Sequence, residues 1–377
     1  MAVKILVLSA YTAASHQYWL DGLCQQFPDF EWTILRLPPR YFNWRIRGNS
    51  LTWGFTEQEK LSRHYDSVLA TSMVDLSALR GFAPKLCQAR TLVYFHENQF
   101  AYPHSLQQRR KTLQAVEPQL VNLYTALCAD TVVFNSKFNR NTFMDGVEGL
   151  LNKLPDGIPA NIVERLKARS QVLPVPIIPT PLMNEPDCGL GKQRITLNAE
   201  EKLHIIWNHR WEYDKGPDRL LQCLKSLSPH LPLTVHVVGQ QFRQTPAEFA
   251  GIRELLARND WLGNWGWVDN RTEYLQLLAQ CHVVLSTALH DFQGLAVLEA
   301  YAYGCLPVVP KRLAYPEFIP DAYCYAADIN NIASEAFNAA QMIENIVAQA
   351  RQGITLQTPL RPLHWAQLAD LYRRFLR

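Results

Sequence analysis

The stretch at residues 283–310 constrains the fold of this chain more than any other. It begins with a short apolar run, Val283–Leu285, and ends with a second one at 307–309. Between these runs lie a loop, residues 287–294, and a helix-like segment that Gly304 closes. Two short buried strands that are joined by a helix predict a βαβ unit of a parallel sheet, and therefore an α/β fold.

The loop and the helix of this unit carry polar groups that suit a sugar nucleotide. Asp291 and Glu299 are carboxylates with seven residues between them, and Gly294 precedes the helix. Ligands of parallel sheets lie beyond the carboxyl ends of the strands, and backbone N–H groups at the start of a helix bind anions. Sugar hydroxyls need acceptors and phosphates need donors. The pattern therefore favours a sugar-nucleotide site over two carboxylates that simply face water.

Length and composition exclude several classes of protein. A chain of 377 residues with 48% hydrophobic and 19% charged residues is globular and has room for two domains. A net charge of +3 does not by itself indicate a nucleic-acid partner. No apolar run reaches the roughly 18 residues of a membrane span. The eight cysteines show no metal-ligand spacing, which predicts reduced thiols and a cytoplasmic location.

The N-terminal half predicts one α/β domain. Its predicted strands lie at 4–9, 32–37, 67–70, 91–95 and 131–135, with helices at 17–27 and from Lys137. Directly after the fourth strand come four polar residues, His96, Glu97, Asn98 and Gln99. Polar groups at the carboxyl end of a parallel strand favour a binding site, although a lone histidine there is often structural.

The segment at residues 38–53 combines cationic and aromatic side chains. Its arginines are Arg40, Arg45 and Arg47, and its aromatic residues include Tyr41, Trp44 and Trp53. Such a mixture stacks on unpaired bases and binds phosphates. We expect this segment to be a loop. Its residues alone leave two interpretations open, a nucleic-acid contact and a solvated loop that packs on its own aromatic rings.

The second half begins after a proline-rich boundary. Five prolines fall within residues 174–186, which are too many for regular structure. We therefore predict domains at residues 1–185 and 186–358, and a C-terminal helix at 359–377 that packs back on the first domain. The apolar residues of this tail recur at spacings of three and four, which is the pattern of an amphipathic helix.

A second nucleotide-binding element is predicted near the start of the second domain. Arg210 and Lys215 lie between a predicted strand at 203–207 and a helix that begins at Gly216 and Pro217. Two cations at this point suit a diphosphate. Further along, residues 265–268 are expected to line a slot for the base.

Together these residues resemble the retaining GT-B glycosyltransferases, through Arg210, Lys215 and the two carboxylates seven residues apart. The chain is more closely similar to the tRNA-queuosine mannosyltransferases. That resemblance rests on FHENQ at 95–99, the basic-aromatic element at 44–48, the loop at 290–294 and Tyr-Pro-Glu at 315–317. The chain departs from these families at Asp291, where Glu is usual, and at Ala13 and Ala14, where glycines are usual.

The resemblance implies a fold and a reaction. The fold is GT-B, with two Rossmann-like domains whose parallel sheets face each other across a cleft, and with a C-terminal helix that crosses back to the first domain. The reaction is transfer of mannose from GDP-mannose to queuosine at the wobble position of tRNA, with retention and without a metal or another cofactor. The catalytic residues that it implies are His96, Arg210, Lys215, Asp291 and Glu299.

The resemblance also assigns binding residues. The donor-binding residues are Arg210, Lys215, Trp267, Asp291, Gln293, Gly294, Leu295, Ala296 and Glu299. The acceptor-binding residues are His16, Arg45, Arg47, Glu97, Asn98 and Gln99. In this scheme Glu299 holds the nucleotide ribose, Asp291 holds the hexose hydroxyls, and His96 lies beneath the anomeric carbon.

Two other functions stay open. One is a transferase that uses another sugar nucleotide on a lipid or small-glycan acceptor, although no basic amphipathic helix is found near the N-terminus. The other is a sugar-nucleotide epimerase or a non-catalytic binding protein, which has no need of the aromatic-basic segment. The basic run Arg109, Arg110 and Lys111 is expected to be a solvated face.

Overall fold

The computed structural model describes residues 2–101, 116–155, 157–159, 161–177, 195, 197–198, 200–352 and 363–377. The chain divides into two compact units, which we call the first unit (residues 1–178 and 363–377) and the second unit (residues 179–362). The predicted boundary at 185/186 and the basic run at 109–111 lie outside the described residues.

The first unit is built on a parallel sheet of six strands in the order β2-β1-β3-β4-β5-β6. These strands are β1 (Lys4–Ser9), β2 (Glu31–Arg36), β3 (Ser67–Thr71), β4 (Arg90–Phe95), β5 (Thr131–Phe134) and β6 (Ser170–Val172). The central strands are almost wholly buried, as expected where helices cover both faces of a parallel sheet. The five predicted strands are confirmed, and β6 is an additional edge strand.

Seven helices precede the second unit in the described part of the chain. They are α1 (Ala14–Gln26), α2 (Phe42–Thr56), α3 (Gln58–Leu61), α4 (Leu76–Phe82), α5 (Val116–Cys128), α6 (Lys137–Leu151) and α7 (Ile162–Ala168). Ser136 caps α6, because its side chain accepts a hydrogen bond from the Asn139 N–H.

The expectation of a loop at residues 38–53 is wrong, because α2 occupies most of that segment. Ile46 and Trp53 lie on its inner face and pack in the hydrophobic core. Asn49 is also fully buried, and its side-chain amide donates to the Met73 carbonyl while its oxygen accepts from the Asp75 N–H. Since a polar residue occupies the buried face, the apolar spacing that normally reveals a helix is interrupted.

The second unit carries a second parallel sheet of six strands, in the order β12-β11-β10-β7-β8-β9. These strands are β7 (Leu203–Trp207), β8 (Leu233–Val238), β9 (Leu262–Gly266), β10 (Val283–Leu285), β11 (Leu306–Pro310) and β12 (Cys324–Tyr325). Counted from β7, this is the strand order of the dinucleotide-binding Rossmann fold. The predicted βαβ unit from β10 to β11 is confirmed.

The helices of the second unit are α8 (Pro217–Ser226), α9 (Glu248–Arg258), α10 (Arg271–Gln280), α11 (Leu295–Ala302), α12 (Tyr315–Phe318) and α13 (Ile332–Arg351). The long helix α13 was not predicted. Much of its buried face is alanine, including Ala336, Ala339 and Ala340, and small residues give a weak hydrophobic signal. Glu335 on the same helix is buried and bonds to Arg312 and Arg219.

The C-terminal helix α14 (Trp365–Leu376) belongs to the first unit. Its Tyr372 hydroxyl lies 3.1 Å from the Trp19 indole nitrogen and 3.2 Å from the Tyr94 hydroxyl. Arg373 pairs with Asp29 at 2.6 Å. The prediction of a helix that returns to the first domain is therefore confirmed. Among the described residues, no helix is long and apolar enough to cross a membrane.

Candidate functional site

The second sheet reverses its strand order between β7 and β10, which lie side by side. At such a reversal the loops that leave the two strands diverge and open a crevice for a ligand. Behind the crevice the two loops touch. Gly216 has φ +66°, and a Cβ there would lie 2.1 Å from the Thr287 carbonyl oxygen. Glycine is therefore required at 216 for this contact.

Charged side chains of alternating sign lie on the loop after β7. Arg210 is 2.7 Å from Glu212 and 3.2 Å from Asp214, and Lys215 is 3.3 Å from the same oxygen of Asp214. Asp214 and Lys215 are buried, whereas the Arg210 side chain is 42% exposed. The two predicted phosphate-binding cations thus share one buried carboxylate.

The loop after β10 brings a second carboxylate to the same lysine. Lys215 Nζ donates to the His290 carbonyl at 2.6 Å and lies 3.5 Å from Asp291 Oδ2. Burial would raise the pKa of Asp291, but Lys215 and the Gly294 N–H stabilise its charged form and hold that pKa below its usual value. The Asp291 carboxylate is therefore ionised at neutral pH.

Gly294 ends this loop and begins α11. It has φ +78°, and its N–H donates to Asp291 Oδ1 at 2.8 Å. The neighbouring Gln293 is buried. Leu295 and Ala296 form the first turn of α11, where backbone N–H groups have no partner within the helix. The start of α11 and the two cations are thus brought to one place, which suits a negatively charged ligand.

A chain of hydrogen bonds connects the two loops from behind. His209 Nε2 lies 3.0 Å from Ser286 Oγ, which lies 2.8 Å from the Tyr315 hydroxyl. The Tyr315 ring packs against Gly294, where a Cβ would lie 2.6 Å from its Cε1. Burial, together with the nearby charge of Lys215, lowers the pKa of His209 to about 4. The His209 ring is therefore neutral, and the chain fixes the position of the start of α11.

Glu299 lies on α11 and is held by a cation that the sequence analysis did not select. Both of its carboxylate oxygens accept hydrogen bonds from Arg271, the first residue of α10. Asn208 ties the same two helices, since it donates to the Tyr274 hydroxyl and to the Ala296 carbonyl, each at 2.9 Å. Trp267, which was predicted to help line the slot for the base, follows the edge strand β9 and is 59% exposed.

The first unit places two histidines together at the carboxyl edge of its own sheet. His16, near the start of α1, and His96, directly after β4, have ring centroids 4.2 Å apart. Both are buried, and within the described residues both ring nitrogens of His16 and Nε2 of His96 lack a hydrogen-bond partner. Burial lowers the pKa of each, and that of His96 falls well below its usual value. The pair is therefore neutral at neutral pH.

Aromatic residues support this histidine pair. The His96 ring lies 4.7 Å from the rings of both Trp19 and Tyr94, measured between centroids. Trp19 and Tyr94 bond in turn to Tyr372 of the C-terminal helix. The last helix of the chain thus reaches the residues that hold His96.

The other acceptor candidates after β4 differ in role. Asn98 is fully buried, and its amide donates to Asn139 and Thr142 while its oxygen accepts from the N–H groups of Phe100 and Ala101. These bonds occupy its side chain in holding the turn. Gln99 is partly buried and contacts Met73. Glu97 is partly exposed and lies close enough to His16 to oppose the lowering of its pKa.

Arg45 and Arg47 lie on α2. Arg47 is 2.7 Å from Asp75 and 3.2 Å from Glu117, so it ties α2 to the starts of α4 and α5. Arg45 is half-buried, and its Nε has no hydrogen-bond partner among the described residues. Arg45 and Arg47 were both predicted to bind the acceptor, but they differ in their surroundings, because carboxylates hold only Arg47 of the two.

Comparison with known proteins gives this geometry a family. Residues 4–177 match the family described as tRNA-queuosine alpha-mannosyltransferase N-terminal, and residues 192–352 match glycosyl transferases group 1. A tRNA-queuosine alpha-mannosyltransferase of Drosophila melanogaster is 33% identical over 339 residues, which cover 90% of this chain and 87% of that protein. The chain belongs to the tRNA-queuosine mannosyltransferase family.

Membership of the tRNA-queuosine mannosyltransferase family makes the chain a glycosyltransferase. A lipopolysaccharide glucosyltransferase, WaaG of Escherichia coli K12, is 28% identical over 62% of each chain. A trehalose-phosphate synthase of Burkholderia xenovorans superposes with a TM-score of 0.64 at 14% identity, with both chains wholly covered. Anabaena HepE with UDP and glucose has a TM-score of 0.61, also at 14% identity, over 100% and 99% of the two chains. The predicted GT-B fold is confirmed.

The site of this mannosyltransferase-family chain contains residues that sequence reasoning missed. Asp214 pairs with Arg210 and Lys215, Arg271 bonds to Glu299, and His209 lies 3.0 Å from Ser286. Tyr372 supports the histidine pair. Asp214 and His209 lie in the loop that was selected for Arg210 and Lys215, so the position of that loop after a strand could have indicated them as well. Arg271 and Tyr372 looked like ordinary helix residues. Among the described residues, no group of three or more His, Cys, Asp or Glu side chains could hold a metal ion.

Proposed function

We propose that this protein transfers mannose from GDP-mannose to queuosine at the wobble position of tRNA, with retention of the anomeric configuration. The observation that carries the proposal is the cluster of Arg210, Lys215 and Asp291 beside the start of α11. It joins a site for a diphosphate to a carboxylate for sugar hydroxyls, in a chain of the queuosine mannosyltransferase family.

The diphosphate of the donor would occupy the positive end of this cluster. Arg210 and Lys215 supply cations, and the N–H groups of Leu295 and Ala296 at the start of α11 supply further donors. As the bond between the anomeric carbon and the phosphate oxygen breaks, negative charge grows on that oxygen. Donors that are already in position stabilise this charge without reorganisation, which lowers the barrier.

The sugar and the ribose would bind to the carboxylates. Asp291 is ionised and its side chain is 20% exposed, so it can accept hydrogen bonds from hexose hydroxyls. Glu299 is proposed to accept from the ribose hydroxyls, which requires that it share or exchange its contact with Arg271. Gln293 is buried in the same loop, and Trp267 presents an exposed ring that suits stacking on the base.

The acceptor hydroxyl would attack the anomeric carbon from the face that the diphosphate leaves. The carbon–oxygen bond to the acceptor forms as the bond to phosphate breaks, and the hydroxyl proton moves to the departing phosphate oxygen. No protein base is required in this scheme. Neutral His96 would orient the sugar or the acceptor through its Nε2, which has no hydrogen-bond partner among the described residues.

Two further expectations complete the proposal. We expect the reaction to need no metal, because the cations and the start of α11 can carry the charge of the leaving group. We also propose a cytoplasmic location, where tRNA is the substrate. The acceptor contacts are proposed to include His16, Arg45, Glu97 and Gln99. Asn98 and Arg47, which were also predicted as contacts, support this region instead through bonds within the first unit.

The deciding experiment supplies purified protein with radiolabelled GDP-mannose and tRNA. We expect label to enter tRNA that contains queuosine and not the same tRNA with guanosine at the wobble position, in the presence of a chelator. Competition with unlabelled UDP-glucose or UDP-galactose is expected to leave the rate unchanged. Transfer to a lipid or lipopolysaccharide-core acceptor instead of tRNA would contradict the proposed acceptor, and loss of activity in chelator would contradict metal independence.

A further inference from the structure

The outer face of α2 is unusually aromatic for a solvent-facing surface. Trp44 is 53% exposed, Leu51 is 48% exposed and Phe55 is 62% exposed. These residues follow one another at spacings that place them on the same face of the helix. Phe82 at the end of α4 is 45% exposed, and its ring centroid lies 5.4 Å from that of Phe55. The face therefore has an indole at one end and a phenylalanine pair at the other.

Gly48 determines where the indole lies. A Cβ at this position would lie 2.3 Å from Cε2 of Trp44. The indole therefore lies against the helix backbone about one turn closer to the C-terminus than its own Cα. Any other residue at 48 would push the ring away. A glycine in the interior of a helix costs about 1 kcal/mol relative to alanine. The helix thus carries a destabilising residue at a position that seats an exposed ring, and Gly54 is placed in the same way against Phe82.

The charge around the indole is positive. Residues 38–56 contain Arg40, Arg45 and Arg47 and no acidic residue. Arg40 lies over the Tyr41 ring at 5.6 Å, next to the start of α2. Arg47 is held by Asp75 and Glu117. Arg40 and Arg45, which lie within four residues of Trp44 in the sequence, are not paired by these carboxylates. Cations that flank an exposed ring complement a polyanion whose flat bases are accessible.

We propose that Trp44 stacks on an unpaired base of the acceptor RNA, while Arg40 and Arg45 contact the adjacent phosphates. This inference rests on the proposed function, because it takes tRNA as the acceptor. Loops of tRNA offer unpaired bases, and aromatic side chains recognise such bases by stacking. Arg47 is a positioning residue in this scheme, since it orients α2 through Asp75 and Glu117.

An apolar partner protein or a second copy of this chain is the competing occupant of the face. Such a partner would bury Leu51, Phe55 and Phe82 as much as Trp44. Burial of apolar surface would stabilise the complex at both the Trp44 end and the Phe55 end of the face. Phe55 lies eleven residues after Trp44, which is about 16 Å along a helix. Phe55→Ala is therefore a matched control on the same surface.

The test measures the affinity of the full-length protein for queuosine-containing tRNA. We expect Trp44→Ala to weaken binding about tenfold or more, and Trp44→Phe to stay within about threefold of wild type, because stacking on either ring is retained. Phe55→Ala is expected to bind like wild type. Gly48→Ala is expected to weaken binding several-fold without lowering the thermal unfolding temperature, since alanine favours the helix while displacing the ring.

Salt dependence and donor hydrolysis separate the possible failures. Arg45→Ala is expected to reduce the slope of log affinity against log salt concentration by about one, whereas Trp44→Ala leaves the slope unchanged. Hydrolysis of GDP-mannose without tRNA is expected to be unchanged in the control variant Phe55→Ala. Wild-type protein that turns over the donor but binds no tRNA overturns the proposed acceptor and this inference together.

Two results would overturn the stacking inference alone. One is wild-type tRNA affinity in Trp44→Ala. The other is an equal loss in Trp44→Ala and Phe55→Ala that is accompanied by a change in sedimentation coefficient, which would make the face an interface between copies of this chain.

Discussion

The carboxyl edges of the two sheets have opposite electrostatic character. In the second unit, Arg210, Lys215, Asp214 and Asp291 form a connected set of ion pairs. In the first unit, the corresponding edge presents His16 and His96, which are neutral and have buried ring nitrogens with no partner in the described part of the chain. The carboxyl edge of the second sheet is therefore prepared for an anion.

This difference shows two ways of preparing a site. Charges that are buried must already be paired, because an isolated buried charge is strongly destabilising. Neutral imidazoles tolerate burial with an open hydrogen bond at a much lower cost, of about 1–3 kcal/mol. The ion pairs of the second unit thus have to exist before a ligand binds. The two histidines of the first unit, in contrast, can receive their missing hydrogen bonds from the ligand.

The largest expected effect that tests this contrast is a difference in acid stability between the units. Burial lowers the pKa of five histidines in the second unit, and those of His209, His236 and His290 fall to about 4. In the first unit only His16 and His96 are lowered among the described residues. These rings bind protons when unfolded, near pH 6.5, but not when folded. Stability is therefore lost as pH falls below about 6.5, and the loss continues towards the folded pKa.

We expect the second unit to lose roughly 5 kcal/mol between pH 7 and pH 5, and the first unit to lose less. Hydrogen exchange in the intact protein measures this, with protection factors in β7 and β8 compared with those in β1 and β4 after correction for intrinsic rates. His236→Gln is expected to reduce the pH dependence of the second unit and to leave that of the first unit unchanged. Parallel loss of protection in both units would show that the contrast in histidine burial has no thermodynamic consequence.

The next effect distinguishes Arg210 from Lys215, the two cations proposed to bind the diphosphate. Arg210→Ala is expected to reduce kcat/KM about 100-fold or more, because a charge-assisted bond to the leaving diphosphate is lost. Its stability is expected to change by less than about 1 kcal/mol, since the Arg210 side chain is 42% exposed. Lys215→Ala is expected to lose similar activity and, in addition, about 3 kcal/mol of unfolding free energy, because buried Asp214 is left with too little positive charge.

Steady-state kinetics and chemical denaturation measure these losses, with Arg258→Ala on α9 as a control that removes an exposed charge elsewhere in the unit. Near-normal turnover in Arg210→Ala would refute the assignment of the diphosphate to this cluster.

A smaller effect is expected from substitution of His96 at the carboxyl edge of the first sheet. His96→Ala is expected to reduce kcat for transfer to tRNA about 10- to 100-fold by loosening the orientation of the reacting groups. The KM for GDP-mannose is expected to stay within about twofold, because His96 lies outside the ion-paired cluster. As burial holds the pKa of His96 well below its usual value, no step in the pH–rate profile between pH 6 and 8 is expected from it. His64→Ala, at an exposed position, is the control.

A large rise in the KM for GDP-mannose with unchanged kcat would give His96 a role in donor binding instead. The carboxyl edge of the first sheet would then take part in donor binding, and the proposed division of roles between the two sheets would be wrong.

The smallest effect concerns the bonds that hold the start of α11. Tyr315→Phe removes the hydroxyl that lies 2.8 Å from Ser286 while keeping the ring against Gly294. A net hydrogen bond is worth about 1 kcal/mol, so we expect the KM for GDP-mannose to rise about three- to tenfold. Tyr124→Phe, on the exposed face of α5, is the matched control and is expected to have no effect. A KM that is identical in Tyr315→Phe and wild type would show that the hydroxyl does not position the helix.

Much of the fold could be predicted from the sequence. The strands Lys4–Ser9, Leu203–Trp207 and Val283–Leu285 were predicted with the bounds that the structure has, because each is a short apolar run between polar residues. Two elements could not be predicted in the same way. In α2 the buried Asn49 interrupts the apolar pattern, and in α13 alanines supply much of the buried face.

The sequence by itself determined the class of fold, the family and the types of residue at the site. It placed Arg210 and Lys215 after one strand, and Asp291 and Gly294 after another, because strand ends can be read from local composition. Only the tertiary structure decided which of these groups meet. Asp214 binds both cations, Arg271 binds Glu299, and Tyr372 reaches the residues that hold His96 from the far end of the chain. The physical reason is that hydrogen bonds and ion pairs act over about 3 Å, and such distances between remote segments are set by strand order and helix packing.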